Sequence, residues 1–468
     1  MTIDPRHPLP GSRPLVVGAA RSGRAAARLL KGHGLSVRLA DRSAAGAVGE
    51  AWAKARVAEG LADEIVTDRP EALAGRDFVV WSPGIPDTHP IAAAARSAGV
   101  PILSELELGY LAAQAPFLCV TGTNGKSTTT DLVGALLRAA GREVEVCGNI
   151  GRAVCEVAEH VSATGILVVE VSSFQLETVD RLKPFVATWL NLTPDHLDRH
   201  PDFAAYGRLK QRLFARQDDG DYSVWNADDP EVMARVTGAA TRLTFSCEGP
   251  VDEGAFAFGG EIALAWRGGL ERLMPVDSLR LRGAHNLGNA LAALATVLPL
   301  EISPAALRES LSTYRGLEHR LESVAVVDGI EFVNDSKATN VSSLEVALRS
   351  FREPLVLIAG GRDKGQDFGP LAALVRERVR HLVLIGEGAP RLAAAWSGLP
   401  TGRAATLADA VDRAFAAARA AREAAGTPRA VVLLSPACSS FDMFEDYEDR
   451  GRKFKGEVDR LERAEART

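Results

Sequence analysis

Close cysteine pairs are missing from this 468-residue chain: Cys119, Cys147, Cys155, Cys247 and Cys438 are scattered, with no CxxC. That spacing excludes a zinc ribbon and a disulfide framework, and predicts reduced, mostly buried thiols of a cytoplasmic protein. No apolar run reaches the roughly 18 residues that cross a bilayer, so no membrane insertion is expected. The opening MTIDPRHPLPG lacks the basic-then-apolar layout of a signal peptide. A long Lys/Arg run is absent and the net charge is -6, which argues against a nucleic-acid partner. Internal repeats and low-complexity linkers are absent too. With 46% apolar and 24% charged residues, the chain has the makeup of soluble globular domains and the length for two to four.

What is present is a repeated strand-then-helix pattern. RPLVVGAA is a short apolar run ending in glycine, RSGRAAARLLKGHG is helical, and LSVRLADR and DFVVWSPGI are further strands. This order predicts a parallel, doubly wound, Rossmann-like sheet in residues 1–104. A second series over 105–314 begins at APFLCVTGTNGKSTTTDLVGALLRAAG and continues through GILVVEVSS, PFVATWLNLT and DYSVWN. Residues 241–282 read as small antiparallel strands. A third series, 315–468, opens with SVAVVDGIEFVND, whose Asp-Gly marks a hairpin. PLVLIAGG, HLVLIGEG and AVVLLSPAC follow as strands, and AVDRAFAAARAAREAA as a surface helix. The expectation is three α/β domains with clefts between them.

CVTGTNGKSTTT carries the Gly-Lys-Ser of a phosphate loop, but Val120 stands where the GxxxxGK[ST] pattern has its first glycine. The context still fits: a strand, a loop with Gly122 and Gly125, then a helix whose positive end faces an anion. Lys126 would reach β/γ-phosphates, and Ser127 or Thr128 would ligate Mg²⁺. A plain surface turn is the alternative.

Glu170 ends the apolar run of VVEVSSFQLE, where carboxylates can hold a metal or simply cap a loop. NLTPDHLDRH places Asp195, His196, Asp198 and His200 after another strand. Its spacing has neither HExxH nor CxxC form, so it does not predict zinc; a structural His196 is the plainer reading. GAARSG, Gly18 to Gly23, is part of a GxGxxG pattern without its middle glycine. Alone it would suggest NAD, with Asp41 on the ribose.

GTNGKST, EVSSFQLE, NLTPDHLDRH, GAHNLGNALAA, GLEHRLE, NDSKATN and LLSPACSSFDMF, in that order, resemble the motifs of the Mur ligase family of cell-wall enzymes across all three segments. The glycine-poor loop is that family's own form. SPACSS and the short first domain resemble the D-glutamate-adding branch; the DNPR motif of the diaminopimelate- or lysine-adding branch is absent.

The resemblance implies a cytoplasmic, monomeric enzyme of peptidoglycan precursor synthesis. It implies a UDP-sugar-binding domain (1–104), a central ATPase domain (105–314) and an amino-acid-binding domain (315–468). ATP would phosphorylate the L-alanyl carboxylate of UDP-N-acetylmuramoyl-L-alanine, and the D-glutamate amine would displace phosphate. For ATP the resemblance implies Gly122, Thr123, Asn124, Gly125, Lys126, Ser127, Thr128, Asn286, Asn289, Arg320, Asp335 and Lys337. Two Mg²⁺ would be held by Ser127, Glu170, His196 and Lys210, the last carbamylated by CO₂. Composition alone makes Lys210 a solvated helix lysine, and Asn286 with Asn289 a capping pair. For the nucleotide sugar the candidates are Ser22, Asp41, Arg42, Ser82, Gly84, Asn149, Ser172 and Gln175. For D-glutamate they are Thr339, Lys364, Ser440, Phe441 and Tyr447, with Ser440 alternatively capping the C-terminal helix. The catalytic set is Lys126, His196 and Lys210.

A dehydrogenase would leave Gly125-Lys126-Ser127 unused. A phosphate-loop switch would need no amino acid. A folylpolyglutamate synthetase would not need the uridine-type first domain.

Overall fold

The computed structural model describes residues 2–4, 7–197, 199–281, 284–314, 316–363 and 365–466. Three larger sheets, each containing parallel strands and flanked by helices, make it an α/β protein.

The first sheet has five parallel strands in the order Glu64–Val66, Arg38–Ala40, Pro14–Val17, Phe78–Trp81, Ile102–Ser104. Pro14–Val17 and Phe78–Trp81 are buried throughout, as strands covered on both faces must be. The chain winds outward from Pro14–Val17, returns to Phe78–Trp81, and winds the other way. Such a reversal opens a crevice at the carboxyl ends of the two central strands, where Gly18 and Ser82 stand.

The second sheet has nine strands. Phe117–Thr121 lies between Ile166–Glu170 and Val186–Trp189, with Val120 paired to both Glu170 and Thr188. Three strand ends therefore meet at one edge: Thr121, Glu170 and Trp189. Val144–Gly148 closes one side; Tyr222–Asn226, Thr241–Ser246 and Gly254–Phe258 extend the other, all parallel. Only Glu261–Trp266 and Gly269–Pro275 run antiparallel. Residues 241–275 thus form the far flank of the main sheet: Gly254–Phe258, Glu261–Trp266 and Gly269–Pro275 pair antiparallel as expected, whereas Thr241–Ser246 is parallel to both neighbours. Short alternating runs do not reveal which neighbour a strand pairs with.

One hydrophobic core serves both sheets. Val16, Phe78 and Val80 of the first and Phe117, Cys119, Leu167 and Val169 of the second belong to it. Helix Glu105–Ala112 joins them. Its N-cap Ser104 hydroxyl accepts from Glu107 N–H, and the Glu107 carboxylate accepts the N–H groups of Asp180, Arg181 and Leu182. Because this core is continuous, the chain falls into two compact units: Met1–Arg280 with Ala284–Tyr314, and Leu281–Gly283 with Arg315–Thr468.

The second unit holds a six-stranded sheet in the order Glu322–Val327, Ile330–Asn334, Ala430–Leu434, Leu355–Gly360, Val379–Ile385, Thr401–Arg403. The first two strands form the expected hairpin. Asp328 and Gly329 both have positive φ, the backbone that matches strand twist in a two-residue turn. Helix Leu407–Ala425 lays Leu407, Val411, Ala414, Phe415 and Ala418 on the sheet and shows its charged face to water. Four of the five free cysteines are buried; Cys247 is exposed. Among the described residues no helix is long and apolar enough to cross a membrane.

Candidate active site

Strand Phe117–Thr121 is fully buried and delivers Gly122 to the sheet edge. Val120 is therefore a ladder residue, which is why no glycine is needed there. The turn proper begins at Gly122 (φ 153°) and ends at Gly125 (φ 83°), both in the region that favours glycine. A Cβ at Gly122 would sit 2.9 Å from Leu190 Cβ, and one at Gly125 would run into Asn289 Oδ1. Helix Lys126–Ala139 follows, with Ser127 and Thr128 buried in its first turn.

Two lysines converge on this turn. Lys126 Nζ donates to the carbonyls of Gly122 (3.0 Å) and Thr123 (2.8 Å). Lys210 Nζ donates to the same Gly122 carbonyl at 2.7 Å. Helix Phe203–Gln211, capped by the Asp202 carboxylate, carries Lys210 inward until it is 1% exposed. Burial, and then the Lys126 charge, push the Lys210 ammonium well below the ordinary lysine range; Asp195 and Glu170 oppose this. The solvated-lysine reading is overturned.

Glu170 is 2% exposed. Its Oε1 accepts from Asn149 Nδ2 at 2.7 Å, while its Oε2 is buried with no hydrogen-bond partner among the described residues. An unpartnered carboxylate oxygen is costly to bury, so this one fits a cation. His196 has a positive φ of 54°, is 46% exposed and packs against Phe174 at 4.9 Å. His200 instead turns inward: it meets Ser173 Oγ at 3.0 Å and stacks on Tyr206. Among the described residues no group of three or more His, Cys, Asp or Glu could hold a metal; Asp198 lies outside them.

Asn286 and Asn289, on helix Ala284–Val297, bond to each other at 3.0 Å, and Asn289 Oδ1 accepts from Thr129 Oγ1 at 3.4 Å. The pair thus lies against the phosphate loop and its helix.

At the first sheet's crevice, Gly18 (φ 97°) faces Ser82 Oγ, which is buried and unpartnered among the described residues. Asp41 accepts the N–H groups of Ala19 (2.6 Å) and Ser43 (2.8 Å), fixing the turn before the helix that holds Ser22. Arg42 and Gly84 are exposed. Asn149 bonds Glu170 through its Nδ2. Ser172 and Gln175 bond to each other.

In the second unit, segments 319–321 and 335–337 come together. Lys337 N–H donates to the His319 carbonyl, and Leu321 N–H to Asp335 Oδ1. Asp335 is buried, and desolvation pushes its carboxyl up to about 7 against the pull of Ser435 Oγ and the Arg320 charge. Thr339 follows on the same loop, its carbonyl accepting from Gln366. Ser440 is buried, Phe441 is 60% exposed, and Tyr447 starts the C-terminal helix, its ring 6.2 Å from His319. That helix, Tyr447–Glu465, is capped by Asp446, so the capping alternative for Ser440 is wrong. Lys364 lies outside the described residues.

Several site-shaping residues escaped the sequence reading. Asn191 bonds the phosphate turn, and Tyr206 OH meets Thr123 Oγ1 at 3.3 Å. Arg199 joins Glu177 to the Ile85 carbonyl next to Ser82 and Gly84. Arg450 is buried among Ser336 and Cys438. Asn191 and Arg199 sit inside the NLTPDHLDRH motif, and Tyr206 lies one turn before Lys210, so motif position and helix spacing were the available signals.

A parallel sheet that delivers a glycine turn, a lysine and a helix N-terminus to one edge, beside a buried carboxylate, defines an α/β phosphate-loop protein. Residues 120–297 match the model of the Mur ligase middle domain, and residues 319–438 that of the Mur ligase glutamate ligase domain. The UDP-N-acetylmuramoylalanine–D-glutamate ligase of Salinibacter ruber is 43% identical over 463 residues, 96% of this chain and 98% of that protein. The protein of the same name from Myxococcus xanthus is 43% identical, covering 97% and 99%. Among solved structures, UDP-N-acetylmuramate–alanine ligase of Thermotoga maritima shares the fold: TM-score 0.56, 18% identity, covering 97% of this chain and 99% of that one. The chain belongs to the Mur ligase family.

Proposed function

We propose that the chain is an ATP-dependent ligase that joins D-glutamate to UDP-N-acetylmuramoyl-L-alanine in cytoplasmic peptidoglycan precursor synthesis. The observation that carries this is the meeting of Lys126 and Lys210 on the Gly122 carbonyl, on the sheet edge that also holds Glu170. Near-full-length relatives of that name support the amino acid and sugar assignment.

The phosphate turn and the first turn of helix Lys126–Ala139 receive the triphosphate. Lys126 swings from loop carbonyls to the β/γ-phosphates and stabilises charge on the moving phosphoryl group. By the family resemblance, Asn286 and Asn289 would hold the adenine, and Arg320, Asp335 and Lys337 would serve the ribose and phosphates. The L-alanyl carboxylate takes the γ-phosphoryl group, ADP leaves, and the neutral amine of D-glutamate displaces phosphate from the acyl phosphate. Ser127, Glu170, His196 and Lys210 would hold two Mg²⁺ ions, which would neutralise phosphate charge. Burial holds Lys210 toward the neutral amine, the form that adds CO₂ and releases a proton to become an anionic carbamate.

Ser22, Asp41, Arg42, Ser82, Gly84 and Asn149 serve the nucleotide sugar, with Ser172 and Gln175 at its muramoyl-alanyl end. Thr339, Lys364, Ser440, Phe441 and Tyr447 serve D-glutamate. The enzyme works as a monomer of three functional segments: 1–104 for UDP-sugar, 105–314 for ATP, and 315–468 for the amino acid. Phosphate release from ATP should require both the nucleotide sugar and D-glutamate; release without either one refutes the proposal.

A further inference from the structure

Asn191 follows strand Val186–Trp189 and bonds to the phosphate turn through both its side chain and its backbone. Its side-chain Oδ1 accepts the N–H groups of Thr123 (3.0 Å) and Asn124 (2.8 Å), and its Nδ2 donates to the Asn124 carbonyl at 3.0 Å. Its own carbonyl accepts from Thr123 N–H at 3.1 Å and from Trp189 Nε1 at 3.2 Å. Two backbone donors and one backbone acceptor presented side by side match a primary amide. A carboxylate would oppose the Asn124 carbonyl, and an alkyl group would take this partner from the Asn124 N–H and carbonyl and leave Thr123 N–H only the Asn191 backbone carbonyl.

We infer that Asn191 is a positioning residue for ATP: it sets the conformation of the turn through which the glycine loop reaches the triphosphate. Its bonds occupy the Thr123 and Asn124 amides from the side of the neighbouring strand. The anion-facing role then falls to the first turn of helix Lys126–Ala139, where backbone N–H groups lack a carbonyl one turn earlier. The same lock holds the Thr123 carbonyl where Lys126 rests on it. The inference depends on the reading of residues 122–128 as the ATP site.

The test is steady-state kinetics of the full chain with Asn191→Ala, Asn191→Asp and Lys126→Ala. Asn191→Ala should raise the KM for ATP about tenfold and lower kcat, with the KM values for nucleotide sugar and D-glutamate within about twofold of the parent. Asn191→Asp keeps the acceptor but needs a proton to face the Asn124 carbonyl. Its kcat/KM for ATP, relative to the parent, should therefore rise as pH falls, a signature that a merely structural role would not produce. If Asn191→Ala does not fold, the pH dependence of Asn191→Asp decides. Unchanged ATP kinetics, an equal shift in all three KM values, or a flat Asn191→Asp ratio overturns the inference. Lys126→Ala with parental ATP kinetics would overturn the site reading itself.

Discussion

The guanidinium of Arg450 grips both oxygens of Ser336: Nε donates to the hydroxyl at 2.9 Å and Nη2 to the carbonyl at 2.8 Å. Its Nη1 reaches the Cys438 carbonyl at 3.2 Å, and the side chain is wholly buried. One cation therefore ties the C-terminal helix to the loop of Asp335 and Thr339 and to the loop of Ser440. Arg450→Met keeps the apolar stem and strands these acceptors. A loss of roughly 2–5 kcal/mol is expected, read as a lower midpoint in urea unfolding; an unchanged midpoint would show that the clamp contributes nothing.

Lys126→Ala should lower turnover about a hundredfold or more while the far-ultraviolet dichroism stays parental. The lysine rests on the carbonyls of Gly122 and Thr123, at the turn that would receive the triphosphate, where its charge would stabilise the moving phosphoryl group. A folded variant with near-normal kcat would contradict this.

Lys210→Ala should be almost inactive, and short carboxylates such as formate or acetate should restore part of the activity. They would supply the oxygen ligand that the proposed carbamate would provide. Full activity without additive would exclude the carbamate role.

Ser440 and Asp446 should separate cleanly. Asp446 caps the C-terminal helix through the Asp449 N–H at 2.7 Å, so Asp446→Ala should cost about 0.5–2 kcal/mol of stability. Ser440→Ala should instead raise the KM for D-glutamate, with the ATP and nucleotide-sugar constants steady. A D-glutamate KM equal to the parent's would remove Ser440 from the pocket.

Glu105 predicts a pH dependence. Burial raises its carboxyl from the ordinary 4.5 to about 7, against the pull of the Cys155 N–H. Between those values the unfolded chain releases a proton that the fold retains, so stability present in acid is lost as pH rises through about 7. A shift of this size corresponds to about 3 kcal/mol. Glu105→Gln should flatten that part of the profile; equal slopes for parent and variant in chemical unfolding from pH 5 to 8 would disprove it.

What the sequence determined by itself was local. A strand, a glycine turn and a helix are adjacent in the chain, so the phosphate loop was legible, as were the doubly wound first sheet and the Asp-Gly hairpin. The motif order was enough for the family. Tertiary structure decided which residues act on that loop. Lys210 meets Gly122 across 88 positions, Asn191 meets Asn124 across 67, and Arg450 meets Ser336 across 114. Composition made Lys210 a surface lysine, and only the packing of its helix against the sheet edge buries it. Val120 looked like a lost glycine until the ladder placed it between Glu170 and Thr188. Ser440 looked like a helix cap until the helix was seen to begin after Asp446. Periodicity and capping rules act within a few residues of the chain. Hydrogen-bond partners and desolvation come from strands brought side by side, and that order belongs to the fold.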